Sequence, residues 1–430
     1  MIQMVDEARE RMDRGPRIVV VGVGGGGSNA VDAMSSDGSM DGVEFVVVNT
    51  DLQALNRART PKKIHIGSGV TNGLGTGANP ALGEKAAEED RTVLREAMDG
   101  ADLVFITAGL GGGTGSGASS IIADMVKEIG AVSVAITTKP FDFEGSVRRN
   151  HADKYQLILR KKCDTLITVP NQRLISIVDE NTTLTQAFQV ADSVLKQCVQ
   201  SISDLITRPG QINLDFADIK AVMDSSVQGT GAVMGVGYGQ GEHRAREAFQ
   251  QASSSPLMEE VMIQGAKGIL VNITAPPNVT LHEINAAMNQ YINAKADPSA
   301  NVIFGVVIDE NMDDDMKVTI LASGFSRTSE DEGAASASMD NYERDSREYE
   351  RPAWKEKADE FPEFYPETIV DDSAHEPVIA GSSSDTPSYL SSSAHSSHSS
   401  HGSHGTTERE REKNRKDVGR VLPQIFGSMK

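Results

Sequence analysis

The feature that most constrains the fold is a pair of glycine clusters, each placed directly after a strand-like apolar run. Residues 22–29 (GVGGGGSN) follow the run 18–21, and residues 111–117 (GGGTGSG) follow the run 103–106. The backbone N–H groups at a helix start form an anion site, and glycine lets a phosphate approach the main chain closely. Two such loops at the same end of one sheet predict a nucleotide that is held from two sides.

Strand-like and helix-like stretches alternate over residues 15–182, after an N-terminal extension of residues 1–14. This alternation predicts an α/β, Rossmann-like domain with a mostly parallel sheet and helices on both faces. Ligands of such sheets bind beyond the carboxyl ends of the strands, where both glycine clusters fall. The predicted strands are 18–23, 43–48, 103–107, 132–137 and 165–169, and one long helix is predicted at 79–98.

Residues 183–207 are predicted to form a single long central helix, because apolar residues recur there every three or four positions and Pro209-Gly210 follows. Residues 208–327 are predicted to form a second domain of the α+β class, because strand signals follow one another without a regular helix between each pair. Those signals lie at 233–238, 268–274, 302–308 and 318–322, and helix signals lie at 215–223, 242–252 and 281–292.

The remainder of the chain has a different composition. Residues 328–407 are rich in Ser and His and contain 17 acidic and 5 basic residues, so we expect a disordered linker. Residues 408–430 contain 4 acidic and 7 basic residues, with apolar side chains at helical spacing. A disordered linker that ends in such a peptide predicts a tethered docking segment.

Overall composition narrows the function classes. The net charge of −20 over 430 residues opposes nucleic-acid binding through the whole surface. The mean hydropathy is −0.31 and no apolar run approaches the ~18 residues of a membrane span, so we expect no transmembrane segment and a cytoplasmic location. Cys163 and Cys198 are too few for a disulfide framework or a typical zinc site. We expect buried free thiols and no metal site built from protein ligands.

Gly22-x-Gly24-x-x-Gly27, with Asp51 after the next strand, also matches the dinucleotide fingerprint. A nicotinamide-dependent oxidoreductase is therefore an alternative, although it leaves the second cluster unexplained. Neither cluster contains the Gly-Lys-Ser/Thr of a P-loop, so backbone N–H groups would hold the phosphates. Residues 71–79 (TNGLGTGAN) form a third glycine-rich loop, suited to closing over a terminal phosphate.

Asn213-x-Asp215-x-x-Asp218 places an amide and two carboxylates shortly after Pro209-Gly210. By spacing alone, this is a helix cap followed by a first-turn aspartate, a common structural device. The same groups are also able to orient a water molecule for hydrolysis.

Residues 111–117 match the GGGTG[ST]G signature of the tubulin and FtsZ superfamily, and over about residues 17–325 the chain resembles the FtsZ family within it. The runs VNTD at 48–51, TKPFDFEG at 138–145, LITRPG at 205–210 and NLDFADI at 213–219 support the resemblance. It implies a GTPase that polymerises head-to-tail into the filaments of the cell-division ring at the septum. A nucleotide-binding structural relative without turnover is the alternative.

The resemblance also implies the role of each site residue. The phosphates would be lined by Gly25, Gly26, Gly27, Ser28, Gly113, Thr114 and Gly115; guanine or ribose would be contacted by Asn29, Glu144, Arg148, Phe188 and Asp192. Phe188 would stack on the base, and Asp192 would accept hydrogen bonds from the guanine N1–H and amino groups.

The resemblance further implies that the active site is completed between adjacent subunits. The segment 213–218 would lie on the face opposite the nucleotide and enter the site of the next subunit, where Asp215 and Asp218 would polarise the attacking water and Asn213 would approach the γ-phosphate. GTP or GDP would be the nucleotide, and Mg²⁺ would be held mainly by phosphates and water. Residues 417–426 would meet a membrane-anchoring division adapter beneath the membrane at mid-cell, although this segment is more basic than the family pattern.

Overall fold

The computed structural model describes residues 15–176, 178–208, 216–224, 231–255 and 266–324. The predictions for the N-terminal extension (1–14), the linker (328–407) and the docking segment (408–430) lie outside these residues. None of the helices in the described ranges is both long and apolar enough to cross a membrane.

Within the described part of the chain, six parallel strands form one sheet in the order β3-β2-β1-β4-β5-β6. The strands are β1 Ile18–Val23, β2 Val43–Asn49, β3 Lys62–His65, β4 Leu103–Gly109, β5 Val132–Lys139 and β6 Thr165–Pro170. The five predicted strands are confirmed. The short edge strand β3 was not predicted, because Ile64 is its one fully buried residue and no apolar run marks it.

Helices cover both faces of this sheet. They are α1 Gly24–Asp37, α2 Leu52–Arg57, α3 Ser68–Thr71, α4 Pro80–Glu89, α5 Arg91–Met98, α6 Gly113–Glu128, α7 Ser146–Lys162, α8 Asn171–Leu174 and α9 Leu184–Thr207. One core cluster packs α1 and α9 against the sheet, and a second packs α4 to α7 against the opposite face.

The helix predicted at 79–98 is two helices, α4 and α5, that meet at Asp90. Asp90 leaves the helical conformation (φ −105°, ψ 26°), and its carboxylate accepts a hydrogen bond from Gly67 N at 2.6 Å. This tertiary contact interrupts a helix that the local sequence favours.

The long helix α9 is confirmed, and Thr183 caps it: the Thr183 hydroxyl accepts from Gln186 N, and the Gln186 side chain accepts from Thr183 N. Its buried face includes Leu195, Val199 and Ile202, which pack in the cluster that also contains residues of both sheets. The expected apolar stripe is not buried throughout, because Leu184 and Phe188 are 58% and 39% exposed. The first turns of α9 therefore present apolar surface to solvent.

A second sheet follows in the order β7-β10-β8-β9, with β10 antiparallel to both neighbours and β8 parallel to β9. Its strands are β7 Val233–Gln240, β8 Gly268–Ala275, β9 Asn301–Ile308 and β10 Asp315–Ser323, and the accompanying helices are α10 Phe216–Asp224, α11 Arg244–Ser253 and α12 Leu281–Met288. Helices α11 and α12 pack on this sheet in a third core cluster. The predicted mixed sheet and the fold class are confirmed; the domain limits stay a prediction.

Candidate nucleotide site

Helix α1 begins at Gly24, directly after β1, and no side chain caps its first turn. Gly25 and Gly26 are exposed there, and the space above Gly25 is open, since a Cβ would meet no atom within 4 Å. Ser28 is buried, and its hydroxyl has no hydrogen-bond partner among the described residues. The first glycine cluster therefore presents free helix-terminal N–H groups next to an unpaired hydroxyl, an arrangement suited to an anion.

Helix α6 begins in the same way at Gly113, after β4, with Gly112 as an uncapped N-terminus. Strands β1 and β4 are neighbours, so the two helix starts lie side by side. Gly24 has φ +69°, and a Cβ there would stand 2.6 Å from Gly115 N, so only glycine permits this contact.

Thr114, in the first turn of α6, links the second cluster to the third glycine-rich loop. Its Oγ1 lies 2.7 Å from Thr50 Oγ1 and 3.3 Å from Thr76 Oγ1, and all three residues are buried. Thr50 follows β2, and its carbonyl oxygen accepts a hydrogen bond from Gly75 N at 3.3 Å. The predicted third loop therefore packs beside the first turn of α6.

Glu144 and Arg148 lie beyond the carboxyl end of β5. They form an ion pair (Oε2–Nη1 2.7 Å), and the other Glu144 oxygen accepts from Phe141 N at 2.9 Å. The Arg148 carbonyl approaches Gly111 so closely that a Cβ on Gly111 would lie 2.7 Å from it. The pair is thus fixed beside the second glycine cluster.

Phe188 and Asp192 are one turn apart on α9. The Phe188 ring packs edge-on against Phe141 (centroids 5.5 Å apart), which brings α9 to the same edge of the sheet. Burial raises the pKa of Asp192 from 3.8 to about 7. No described residue forms a hydrogen bond with its carboxylate, so a ligand with two donors on one edge has a ready acceptor there.

Of the predicted hydrolytic group, the structure describes only Asp218. Asn213 and Asp215 lie outside the described residues, whereas Asp218 is exposed in the first turn of α10. The Thr165 hydroxyl, at the first residue of β6, donates a hydrogen bond to the Met223 carbonyl oxygen of α10 at 3.3 Å. Helix α10, which carries Asp218, therefore contacts the edge of the sheet where the strands begin, opposite the glycine clusters, and the role of Asp218 stays a prediction.

Two buried polar residues near the site were not predicted from the sequence. Thr107 in β4 and Asn171 after β6 are buried, and their side-chain oxygens Oγ1 and Oδ1 have no hydrogen-bond partner in the described part of the chain. Both lie toward the carboxyl edge of the sheet, where ligands of this fold bind. The position of Asn171, directly after a buried strand, was the available signal.

Asp51 argues against the dinucleotide alternative. In that fingerprint the acidic residue after the second strand binds a ribose hydroxyl. Here Asp51 Oδ1 instead caps α2, accepting from Gln53 N at 2.8 Å and Ala54 N at 3.1 Å.

Among the described residues, no three His, Cys, Asp or Glu side chains are grouped to hold a metal ion.

Comparison with known proteins identifies matching families and structures. Residues 17–179 match the model of the Tubulin/FtsZ family GTPase domain, and residues 230–326 match that of the FtsZ family C-terminal domain. An empty FtsZ dimer of M. jannaschii is 40% identical, with a TM-score of 0.67 over 75% of this chain and 91% of that one. CetZ1 from Haloferax volcanii, a GDP-bound monomer, is 20% identical, with a TM-score of 0.66 over 76% of this chain and 99% of that one.

Proposed function

Because the chain belongs to the tubulin/FtsZ family of GTPases, we propose that it polymerises head-to-tail into filaments that form the cell-division ring. The observation that carries the nucleotide part of the proposal is the pair of uncapped helix starts on the neighbouring strands β1 and β4. The FtsZ dimer of M. jannaschii, 40% identical, supports self-association.

The guanine nucleotide would lie across the carboxyl edge of the first sheet. Its phosphates would meet the backbone N–H groups of the two glycine clusters and the hydroxyls of Ser28 and Thr114. Its base would stack on Phe188 and donate two hydrogen bonds to Asp192. The burial and lack of partners of Asp192 support this assignment, since guanine has two donors on that edge. The remaining proposed contacts are Gly25, Gly26, Gly27, Asn29, Gly113, Gly115, Glu144 and Arg148.

Hydrolysis would take place between two subunits. One subunit holds GTP, and the next contributes Asp215 and Asp218 to polarise the attacking water and Asn213 to approach the γ-phosphate. The position of α10 supports this division. The Thr165 hydroxyl, where β6 begins, donates a hydrogen bond to the Met223 carbonyl oxygen of α10, so Asp218 lies on a helix at the edge of the sheet opposite the glycine clusters. Mg²⁺ would be bound chiefly by phosphate oxygens and water.

Several finer parts of the proposal concern location and organisation. The filament would assemble in the cytoplasm at mid-cell, attached by residues 417–426 to a membrane-anchoring adapter. A head-to-tail contact whose symmetry does not close generates an open filament, which suits a ring. The chain would divide into a GTP-binding domain (15–182), the central helix (183–207) and a C-terminal domain (208–327).

Turnover measured against protein concentration tests the trans site. GTP hydrolysis per subunit should be very slow at low concentration and rise steeply at the concentration where light scattering first increases in GTP and Mg²⁺. Asp215→Ala should bind GDP as tightly as the unaltered chain and lose turnover by about 100-fold. Glu96→Ala, an exposed carboxylate on α5, is the matched control and should behave like the unaltered chain.

Three results would overturn the proposal or part of it. Hydrolysis at the full rate by subunits kept below the assembly threshold would place the whole active site in one chain. GDP binding with no turnover at any concentration would favour a non-hydrolysing relative. A rise in melting temperature with NAD but not with GDP would favour the oxidoreductase.

A further inference from the structure

Three buried threonine hydroxyls are connected beside the first turn of α6. Thr114 Oγ1 contacts Thr50 Oγ1 at 2.7 Å and Thr76 Oγ1 at 3.3 Å. Thr114 belongs to α6, Thr50 directly follows β2, and Thr76 lies in the third glycine-rich loop. None of the three residues is more than 8% exposed. Together they are called the threonine cluster, which joins three separate elements through hydroxyl contacts alone.

The threonine cluster has one hydroxyl proton to spare. Three hydroxyl groups carry three protons, and the two contacts use only two of them. If both neighbours donate to Thr114, the spare proton is that of Thr114. If Thr114 donates onward to Thr76, the spare proton is that of Thr76. In both arrangements Thr50 is the donor to Thr114, and a proton is left for a ligand.

The opposite arrangement, in which Thr114 donates to Thr50, is disfavoured. The Thr50 hydroxyl would then need another acceptor. Among the described residues, Thr50 Oγ1 has no hydrogen-bond contact other than that with Thr114, and Thr50 is completely buried. A buried donor without an acceptor is costly, so Thr50 donates.

The order of the strands assigns the threonine cluster to the terminal phosphate. Phe188, the residue proposed to stack on the base, packs against Phe141, which follows β5. The two glycine clusters follow β4 and β1, and Thr50 follows β2, the next strand of the sheet. Because adjacent strands are ~4.8 Å apart, β2 lies about 14 Å from β5. A nucleotide whose base is near β5 therefore has its terminal phosphate nearest to Thr50.

The backbone of Thr50 connects the same residue to the third glycine-rich loop. Its carbonyl oxygen accepts hydrogen bonds from Gly75 N at 3.3 Å and from Thr71 Oγ1 at 3.4 Å. The next residue, Asp51, pairs with Leu74 in an isolated antiparallel bridge. Thr50 therefore contacts α6 through its side chain and the loop through its main chain.

We propose that Thr50 is a positioning residue through which the nucleotide site distinguishes GTP from GDP. Its hydroxyl donates to Thr114, so that the spare proton of the threonine cluster is directed to an oxygen of the γ-phosphate. GDP lacks that oxygen. The inference rests on the proposed function, because it needs a guanine nucleotide that lies across the sheet in the stated direction.

Thr50→Val tests the inference in the full-length protein, because it replaces the hydroxyl by a methyl group of similar size. Calorimetric titration below the assembly threshold measures the Kd for GDP and for GTPγS, a slowly hydrolysed analogue that keeps a terminal phosphate group. The ratio of the GDP Kd to the GTPγS Kd should fall about fivefold in Thr50→Val, while the GDP Kd stays within about twofold. Thr50→Ser keeps the hydroxyl and should restore the ratio.

Thr319→Val is the matched control. Thr319 lies in β10 of the second sheet, and its buried hydroxyl likewise contacts another hydroxyl, that of Ser201, at 3.0 Å. This variant should leave the ratio unchanged. If Thr50→Val melts well below the control, Thr50→Ala, which removes the hydroxyl by truncation, is measured with the same outcomes.

Hydrogen exchange over residues 71–79 tests the connection through the Thr50 carbonyl. In the unaltered chain, the Gly75 amide should exchange more slowly with GTPγS than with GDP, because a bound terminal phosphate fixes Thr50 and its carbonyl. Thr50→Val should lose this difference between the two nucleotides. A variant that is only less stable would exchange faster with both nucleotides and would keep the difference.

Three results would overturn the inference: an unchanged Kd ratio in Thr50→Val, equal weakening of GDP and GTPγS, or an exchange difference that Thr50→Val keeps. Each leaves the proposed function intact, provided that the unaltered chain binds GDP and that Asp215→Ala loses turnover. If the unaltered chain binds neither nucleotide, or if Asp215→Ala keeps full turnover, the proposed function itself is wrong.

Discussion

Replacement of Asp192 by asparagine tests recognition of guanine at the first half of α9. In the folded protein, burial raises the pKa of Asp192 from 3.8 to about 7, so between these values the folded chain holds a proton that the unfolded chain has released. The stability contributed by this proton is present below pH 4 and is lost as the pH rises through 7. Asp192→Asn has no charge to bury and should be more stable than the unaltered chain at pH 8.

The size of the effect follows from the pKa difference. A pKa difference of about 3 units corresponds to a change of at most about 4 kcal/mol in the free energy of unfolding. Because the side chain still contacts water, we expect about 1–2 kcal/mol. Bound guanine should act in the opposite direction, because its two donors stabilise the carboxylate. The affinity of the unaltered chain for GDP should therefore be lower at pH 6 than at pH 8, by up to about tenfold, the value that applies if the pKa of Asp192 is raised all the way to about 7.

Calorimetric titration with GDP below the assembly threshold, at pH 6, 7 and 8, measures the affinity. The terminal phosphate of a nucleotide also titrates near pH 6, so Asp192→Asn over the same range is the reference. Its GDP affinity at pH 8 should be lower than that of the unaltered chain, and its affinity should change less with pH. Thermal melts without nucleotide at pH 5 and pH 8 measure the stability difference.

If the GDP affinity of the two proteins changed equally with pH, the reasoning would be refuted, because the titrating group would then be the phosphate of the nucleotide and not Asp192. Equal GDP affinity at pH 8 would show that the carboxylate does not contact the base. A less stable Asp192→Asn at pH 8, without nucleotide, would show that the carboxylate is not costly to bury.

Gly27→Ala should lower the free energy of unfolding by about 2–3 kcal/mol, because its Cβ would stand 2.1 Å from the Thr107 carbonyl oxygen. Gly25→Ala should leave the melting temperature unchanged and weaken GDP binding, since its Cβ meets only open space on the ligand side; equal loss of stability in the two variants would contradict this. Of the two thiols expected to be buried, Cys198 is buried and Cys163 only partly so; burial raises the pKa of Cys198 to about 12, so a thiol reagent at pH 8 should label Cys198 rapidly only in denaturant. Rapid labelling of Cys198 in the native protein would show an exposed thiolate.

The sequence predicted the strands and helices in which buried apolar residues recur at a regular spacing. Strands β1 and β4 are fully or almost fully buried, so each forms a continuous apolar run. The helix α9 keeps one apolar face over most of its length. Edge strand β3 and the break at Asp90 were not predicted, because β3 buries little and the break depends on a contact with Gly67.

In the candidate site, too, the sequence predicted some residues and not others. Glycine clusters are visible in the sequence because close approach to a phosphate or to another backbone restricts the residue type. Thr107 and Asn171 were not visible, because an unpaired buried oxygen depends on what surrounds it in space. The same holds for the hydroxyl contacts of Thr50 and Thr76 with Thr114.

The sequence by itself determined that two glycine-rich turns connect strands to helices and that a long amphipathic helix follows, since both properties depend on residues close together in the chain. Only the tertiary structure decided that the two turns lie side by side, because that depends on β1 and β4 being neighbours in the sheet. It also decided that Asp192 is partly buried and that Arg208 reaches Ser39, since burial and contacts between distant residues arise only after packing.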